Sequence, residues 1–177
     1  MDRSLDNQTP DISKADSSLQ ERILAGHSAV LKQVDYFREN FGKTTSSWKK
    51  DGTRVTVVDE TISENLFLPL KNSFPSDDFC SEEEAETPDP IPLKAEFCWL
   101  LDPVDGTNNY AAGITECGIS LALLREGMPI YGYIYDYSRD KLLQGGPGFG
   151  AIEGTNPVQA TTELVNEKLT FCMHFPI

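Results

Sequence analysis

Positive charge is in short supply in this sequence. Fifteen Lys and Arg stand against 28 Asp and Glu, a formal net charge of −13 over 177 residues. Nucleic acids and anionic membranes are held by basic patches, so neither is expected as a partner. The same acidity repels a small anion at long range. Such a ligand needs a local reversal of sign, and a bound cation is the simplest means. Histidine is scarcer still, with His27 and His174 alone. The four cysteines, Cys80, Cys98, Cys117 and Cys172, form no C-x-x-C pair, which argues against a zinc site. Most lie within apolar runs and read as reduced core thiols of a cytoplasmic protein. No apolar stretch is long enough to span a membrane. The opening "MDRSLDNQTPDISKADSS" lacks the apolar core of a secretory signal. What remains is 39% hydrophobic and 24% charged, an ordinary composition for one globular domain with a sizeable core.

Residues 1–15 read as a flexible N-terminal tail and 16–177 as the folded part. From Ser17 to Phe41, the residues Leu19, Ile23, Val30, Leu31, Val34, Phe37 and Phe41 recur at helical spacing. That spacing predicts one amphipathic helix, ended by Gly42. "WKKDGTRVTVVDE" predicts a basic turn and a short β-branched strand. Asp59 is the expected N-cap of a second helix with Ile62, Leu66 and Leu70 on one face, and Pro69 predicts a kink or an early stop. An acidic loop, "DDFCSEEEAETPDPIP", carries a short strand near Phe79. Strand signals then crowd together in "EFCWLLD", "CGISLALLREG", "PIYGYIYDYS" and "KLLQGG", with hairpin-length separators. "GGPGFG" looks like a phosphate cradle, but no Walker lysine and no helical pattern follow, so a turn between antiparallel strands is expected. The closing "NEKLTFCMHFPI" reads as a buried strand with Leu169, Phe171, Met173 and Phe175 on one face.

The chemistry concentrates in "FCWLLDPVDGTNNY", residues 97–110. Phe97 to Leu101 form an apolar run, a buried strand with Asp102 at its C-terminal end, the usual place for a site in an α/β sheet. Pro103 restrains Asp102 to an extended conformation. The rigid turn can aim the Asp102 and Asp105 carboxylates and the Val104 carbonyl at one point, an oxygen set suited to a hard cation such as Mg²⁺. Gly106 lets the backbone approach a ligand closely. Thr107, Asn108 and Asn109 open a helical turn whose N–H groups favour a phosphate oxygen. A cation site beside an anion site suits phosphoryl chemistry.

Taken alone, Asp-Pro and Asp-Gly are common turn dipeptides. An EF-hand loop starting at Asp102 is excluded because an acid is needed where Gly113 stands. The D-x-D-x-T pattern of aspartyl phosphatases fails on spacing. "FCSEEE" places Glu82 and Glu83 just past a short apolar stretch, and "VTVVDE" places Asp59 at a strand-to-helix junction. Each has a bland reading, as solvated loop or plain cap. All three segments in one chain favour a site.

"DPVDGTNNY" resembles the D-P-[IL]-D-G-T signature of the inositol monophosphatase family of Mg²⁺-dependent, lithium-sensitive sugar-phosphate phosphatases. "KKDGTRVTVVDETISE" resembles the family's K-x-D-G-x-x-V-T-x-x-D-x-x-x-E segment. "FCSEEE" resembles its G-E-E segment, with Ser81 in place of glycine. "GMPIYGYIYDYSRDKLLQGGPGFGAIEGTNPVQ" resembles its hairpin region, and the likeness runs in order over residues 49–166.

The fold expected from the pattern is α+β, two N-terminal helices packed on a mixed, mostly antiparallel sheet. The resemblance makes it the first half of an αβαβα sandwich. By resemblance, residues 16–177 are the metal-binding N-terminal α+β domain of a phosphatase. The W-D-x-A-A-G segment of the substrate-reading C-terminal half has no match here.

The resemblance implies that Glu82, Asp102, the Val104 carbonyl and Asp105 hold the metals, and that Glu82 and Thr107 position an attacking water. The Gly106 and Thr107 amides would bind the phosphate, with Glu82, Val104 and Asp105 also lining the substrate. Asp59 and Glu83 would serve an outer metal, and Lys49 would lie at the site's mouth. The implied cofactor is Mg²⁺, on the order of two or three ions, with Mn²⁺ as a substitute and Li⁺ as an inhibitor.

The implied substrate is inositol monophosphate or a similar small phosphomonoester. The rival readings are a histidinol-phosphate, fructose-bisphosphate or nucleotide-bisphosphate phosphatase of the same superfamily, a catalytically incomplete metal- or phosphate-binding fragment, and a structural acidic domain. A homodimer is expected from resemblance alone. The isolated chain is expected to turn over very poorly or not at all, and to associate through its closing strand.

Overall fold

Trp99, Leu101, Ile119, Leu121, Leu123, Tyr131, Tyr133 and Tyr135 alternate along three strands, and each is at most 2% exposed. A period of two puts them on one face. The computed structural model describes residues 9–48, 54–84 and 93–159. In it these strands are β4 (Phe97–Asp105), β5 (Gly118–Arg125) and β6 (Met128–Asp136). Together with β3 (Asp78–Ser81), β7 (Lys141–Gly146), β8 (Gly150–Glu153) and β9 (Asn156–Val158) they form one sheet in simple chain order. The pair β3–β4 is parallel and every other pair antiparallel. "GGPGFG" is the turn between β7 and β8.

Helices α1 (Ser17–Leu31), α2 (Val34–Asn40) and α3 (Val57–Ser73) share a single core with the apolar sheet face. α1 sits close because Gly26 has no side chain: a Cβ there would meet Trp99 and Tyr133 at 2.8 Å. The Tyr133 hydroxyl donates to the Ile23 carbonyl at 2.7 Å. The opposite sheet face carries Leu100 and Ile134, 46% and 50% exposed. A separate two-stranded sheet, β1 (Ser46–Trp48) with β2 (Arg54–Thr56), precedes α3. The architecture is the expected α+β. No helix among the described residues is long and apolar enough to cross a membrane.

Several local expectations are corrected. The helix predicted over 17–41 is broken at Lys32–Gln33, where the Gln33 N–H bonds three residues back to Val30. No glycine or proline marks the break. It lets Val34 and Phe37 turn into the core, where they are 1% and 0% exposed. Asp59 is not the N-cap of α3; Thr56 is, and Asp59 closes a capping box from the third helical position. α3 runs through Pro69 to Ser73, held by buried Leu66, Phe67 and Leu70. Residues 9–15 are not a loose tail, since Ile12 and Ala15 pack against the core. Lys49, Cys172, the middle of the acidic loop and the closing strand lie outside the described residues. Cys80, Cys98 and Cys117 are buried and form no disulfide, although Cys98 Sγ lies 3.7 Å from Cys80 Sγ.

His27 on α1 is 7% exposed, with Nδ1 3.1 Å from the Gln144 Oε1. That contact places the proton on Nδ1, and Nε2 has no partner among the described residues. Protonation would create a buried N–H without an acceptor. Burial accordingly lowers the His27 pKa, against a smaller opposing pull from Gln144. The stability that neutral His27 contributes is complete above the ordinary value of about 6.5 and is lost as pH falls toward the lowered folded value. Urea unfolding of wild type and His27→Gln should show a difference that is constant at pH 7.5 and above and shrinks toward pH 5.5. A pH-independent difference would mean that His27 does not titrate in this way.

Candidate active site

The parallel register of β3 on β4 pairs Ser81 with Leu101. Glu82, the next residue along, opens a short 3₁₀ turn, Glu82–Glu84, beside Asp102. A glutamate at the end of one strand and an aspartate within its neighbour thus reach the same edge of the sheet. The next element of the site is a bulge. Asp102 pairs with Ser120 but Asp105 pairs with Gly118, so three steps on β4 face two on β5. In a regular strand, residues three apart point to opposite faces. The extra residue restores Asp105 to the side of Asp102. Pro103, which has no N–H to lose from the ladder, occupies the bulge. β4 therefore continues to Asp105 and does not stop at Asp102 as the sequence suggested.

The electrostatics follow. The half-buried Asp102 carboxyl is pushed up to about 8, first by burial, then by the charge and hydrogen bond of Glu82 and the charge of Asp105, with the Val104 N–H pulling the other way. Acids crowded in this way repel one another unless a proton or a cation sits among them. Three hard oxygen donors next to the Val104 carbonyl are the donor chemistry of Mg²⁺. Among the described residues, no group of three or more acidic, His or Cys side chains is arranged to hold a metal ion as it stands. Glu82 and Asp105 both carry exposed side chains, which leaves them room to turn inward.

Gly106 follows at φ 81°, where a Cβ would meet the Glu116 carbonyl at 2.8 Å. Glycine is therefore required at this entry to α4 (Thr107–Ala112). α4 is anchored by Tyr110, 0% exposed, whose hydroxyl donates to the Phe37 carbonyl at 2.6 Å and whose ring lies 4.5 Å from Phe37. At the start of α4, Thr107 Oγ1 lies 3.0 Å from the Val104 carbonyl and 3.4 Å from Asp59 Oδ1. Asp59 is 0% exposed, and its Oδ2 accepts from the Thr56 amide and hydroxyl at 2.8 and 2.6 Å. Asp59 is thus bound into the capping box and the Thr107 contact. Glu83, its companion in the outer-metal expectation, is half-buried, with its N–H 3.4 Å from Ser81 Oγ. Ser81, standing where glycine was expected, is 2% exposed and lies 3.1 Å from Ser63 Oγ of α3.

The structure brings Glu82, Asp102, Val104, Asp105, Gly106, Thr107 and Asp59 to one edge of the fold. A cavity of about 340 Å³, lined by Asp105, Glu116, Gly118 and Arg139 among others, meets this group at Asp105 alone. Two residues of the site were missed in the sequence, Thr56 and Tyr110. The T-x-x-D spacing of Thr56 and Asp59 was a readable capping signal. Tyr110 carried none, because its partner is 73 residues away.

A model described as the inositol monophosphatase family matches residues 14–173. Inositol monophosphatase 1 of Solanum lycopersicum is 31% identical over 155 residues, covering 86% of this chain and 57% of that protein. A histidinol-phosphatase of Chlorobaculum parvum is 31% identical over 152 residues, covering 86% and 56%. The solved structure of a staphylococcal inositol monophosphatase-1, soaked in lithium chloride as an inhibitory complex, superimposes with a TM-score of 0.73 at 26% identity, covering 85% of this chain and 56% of that one. The chain spans little more than half the length of the relatives it matches.

Proposed function

The chain belongs to the inositol monophosphatase family, and from that premise we propose that its site serves the metal-dependent hydrolysis of a phosphomonoester, inositol monophosphate or a similar small sugar phosphate. The observation that carries this reading is the β3–β4 register combined with the bulge, which sets Glu82, Asp102 and Asp105 beside the start of α4. A bound divalent cation supplies Lewis acidity and a more acidic water. The Glu82, Asp102 and Asp105 carboxylates and the Val104 carbonyl would hold it, with Mg²⁺ as the fitting ion, Mn²⁺ as a substitute and Li⁺ as a competitor. Thr107 would orient the nucleophilic water, its hydroxyl donating inward and its lone pair accepting from the water. The Gly106 and Thr107 amides would face the phosphate oxygens, where preorganised donors stabilise developing charge. Buried thiols that form no disulfide among the described residues support a cytoplasmic setting.

A second reading, histidinol phosphate as the substrate, is supported by the similarity to the Chlorobaculum parvum protein. Calorimetry with MgCl₂, followed by a phosphatase assay on inositol 1-phosphate and histidinol phosphate, separates the two. Asp102→Asn should weaken Mg²⁺ binding by at least about tenfold, since even residues that only support a ligand cost this much. Mg²⁺ binding that is unchanged in Asp102→Asn would overturn the metal assignment.

A further inference from the structure

We propose that Thr56 is a positioning residue for the Thr107 hydroxyl, acting through the Asp59 carboxylate. The inference rests on the reading of Thr107 as the group that orients the water. Thr56 is 3% exposed. Its amide and its hydroxyl both donate to Asp59 Oδ2, at 2.8 and 2.6 Å, while its own Oγ1 accepts from the Val58 amide at 3.1 Å. Two donors from one residue on one oxygen set the plane of the carboxylate. The other oxygen is thereby turned toward Thr107 Oγ1, at 3.4 Å.

The Thr107 hydroxyl has one hydrogen and two acceptors within reach, this oxygen and the Val104 carbonyl at 3.0 Å. The direction of that hydrogen decides where the Thr107 lone pairs point, and so where a water can be held. Asp59 stands at the third position of the 17-residue helix α3, where the helix dipole favours an acidic side chain. It is the charged competitor to the neutral Val104 carbonyl, which is the nearer acceptor at 3.0 Å against 3.4 Å, and its charge offsets the longer distance. Removing the Thr56 hydroxyl takes away the shorter of its two bonds to Oδ2 and loosens the carboxylate, although the Thr56 amide still donates to it; Thr107 is then held less firmly in the one χ1 that reaches both acceptors. Thr56 thus couples the start of α3 to the start of α4, although it touches neither substrate nor metal.

A helix cap with no further role predicts lost stability and nothing more. The positioning role predicts a change at Thr107, 51 residues along the chain. Three-bond couplings from the Thr107 methyl carbon to its backbone nitrogen and carbonyl carbon report its χ1 rotamer by NMR. They should show one rotamer in wild type and Thr56→Ser, and averaging in Thr56→Val. The Thr56 hydroxyl proton should itself be visible at neutral pH in wild type, slowed in exchange by burial and by its bond to Asp59. In the phosphatase assay Thr56→Val should lower kcat by about tenfold with KM little changed, and Thr56→Ser should restore it. A single Thr107 rotamer in folded Thr56→Val overturns the proposal. If Thr56→Val does not fold, the wild-type hydroxyl resonance decides, and its absence overturns the proposal too. A wild-type protein that binds neither Mg²⁺ nor Mn²⁺ overturns the functional reading instead and leaves the rotamer measurement to judge Thr56.

Discussion

In a complete protein, Thr107→Ala is expected to lower turnover by about 10²-fold or more while leaving Mg²⁺ affinity nearly unchanged. Its hydroxyl lies between the Val104 carbonyl and Asp59 Oδ1 and is not among the proposed metal ligands. It contributes orientation, and losing one well-placed group of this kind raises the barrier by several kcal/mol without altering the ground-state site. Thr107→Ser keeps the oxygen and should keep most of the activity. Steady-state kinetics beside Mg²⁺ calorimetry on the same preparations separate chemistry from binding. Turnover of Thr107→Ala at the wild-type rate would show that the nucleophile's partner lies elsewhere.

Arg22→Ala should destabilise the fold by about 3–5 kcal/mol, the cost of leaving a buried charge without its partner. Arg22 donates to both oxygens of Asp77, at 2.9 and 2.7 Å, and Asp77 keeps only 3% of its side chain exposed. The Trp99 indole donates to the same carboxylate at 3.0 Å. The guanidinium also lies over the rings of Phe97 and Phe74, at 4.1 and 4.6 Å, so alanine loses packing as well as charge. Asp77 immediately precedes β3, the strand that delivers Glu82. A large loss here would therefore show that the ion pair seats the strand carrying the site. Urea unfolding measures the effect, and the double variant Arg22→Met with Asp77→Leu should recover much of it. A loss below about 1 kcal/mol would mark the pair as no better than a surface salt bridge.

The parts of this protein legible in its sequence are those set by local pattern. The apolar run in "FCWLLD" and the strand-like pattern of "PIYGYIYDYS" marked strands, and both form. The "GGPGFG" cluster was rightly a turn and not a phosphate cradle. "DPVDGTNNY" offered a cation site beside an anion site, and only together with "FCSEEE" and "VTVVDE" did it favour a site over a plain turn. Errors arose where a local signal served two structures. Val57 and Val58 looked like the end of a strand and are the first turn of α3, because a capping box at Thr56 outweighs β-branched propensity. The apolar spacing from Val30 to Phe41 fits one helix or two, and the choice is made by what Val34 and Phe37 must reach in the core.

By itself, then, the sequence determined an acidic α+β chain whose carboxylates gather at strand ends and helix starts, since residue type, period and turn chemistry are local properties. Which carboxylates meet was decided by the tertiary structure alone. Glu82 reaches Asp102 because β3 pairs parallel to β4 in one register. Asp105 joins them because one extra residue in β4 reverses the alternation. Asp59 reaches Thr107 because Tyr110 anchors α4 against α2. Strand partner, register and helix docking depend on groups far apart in the chain, and only the packed core selects among them.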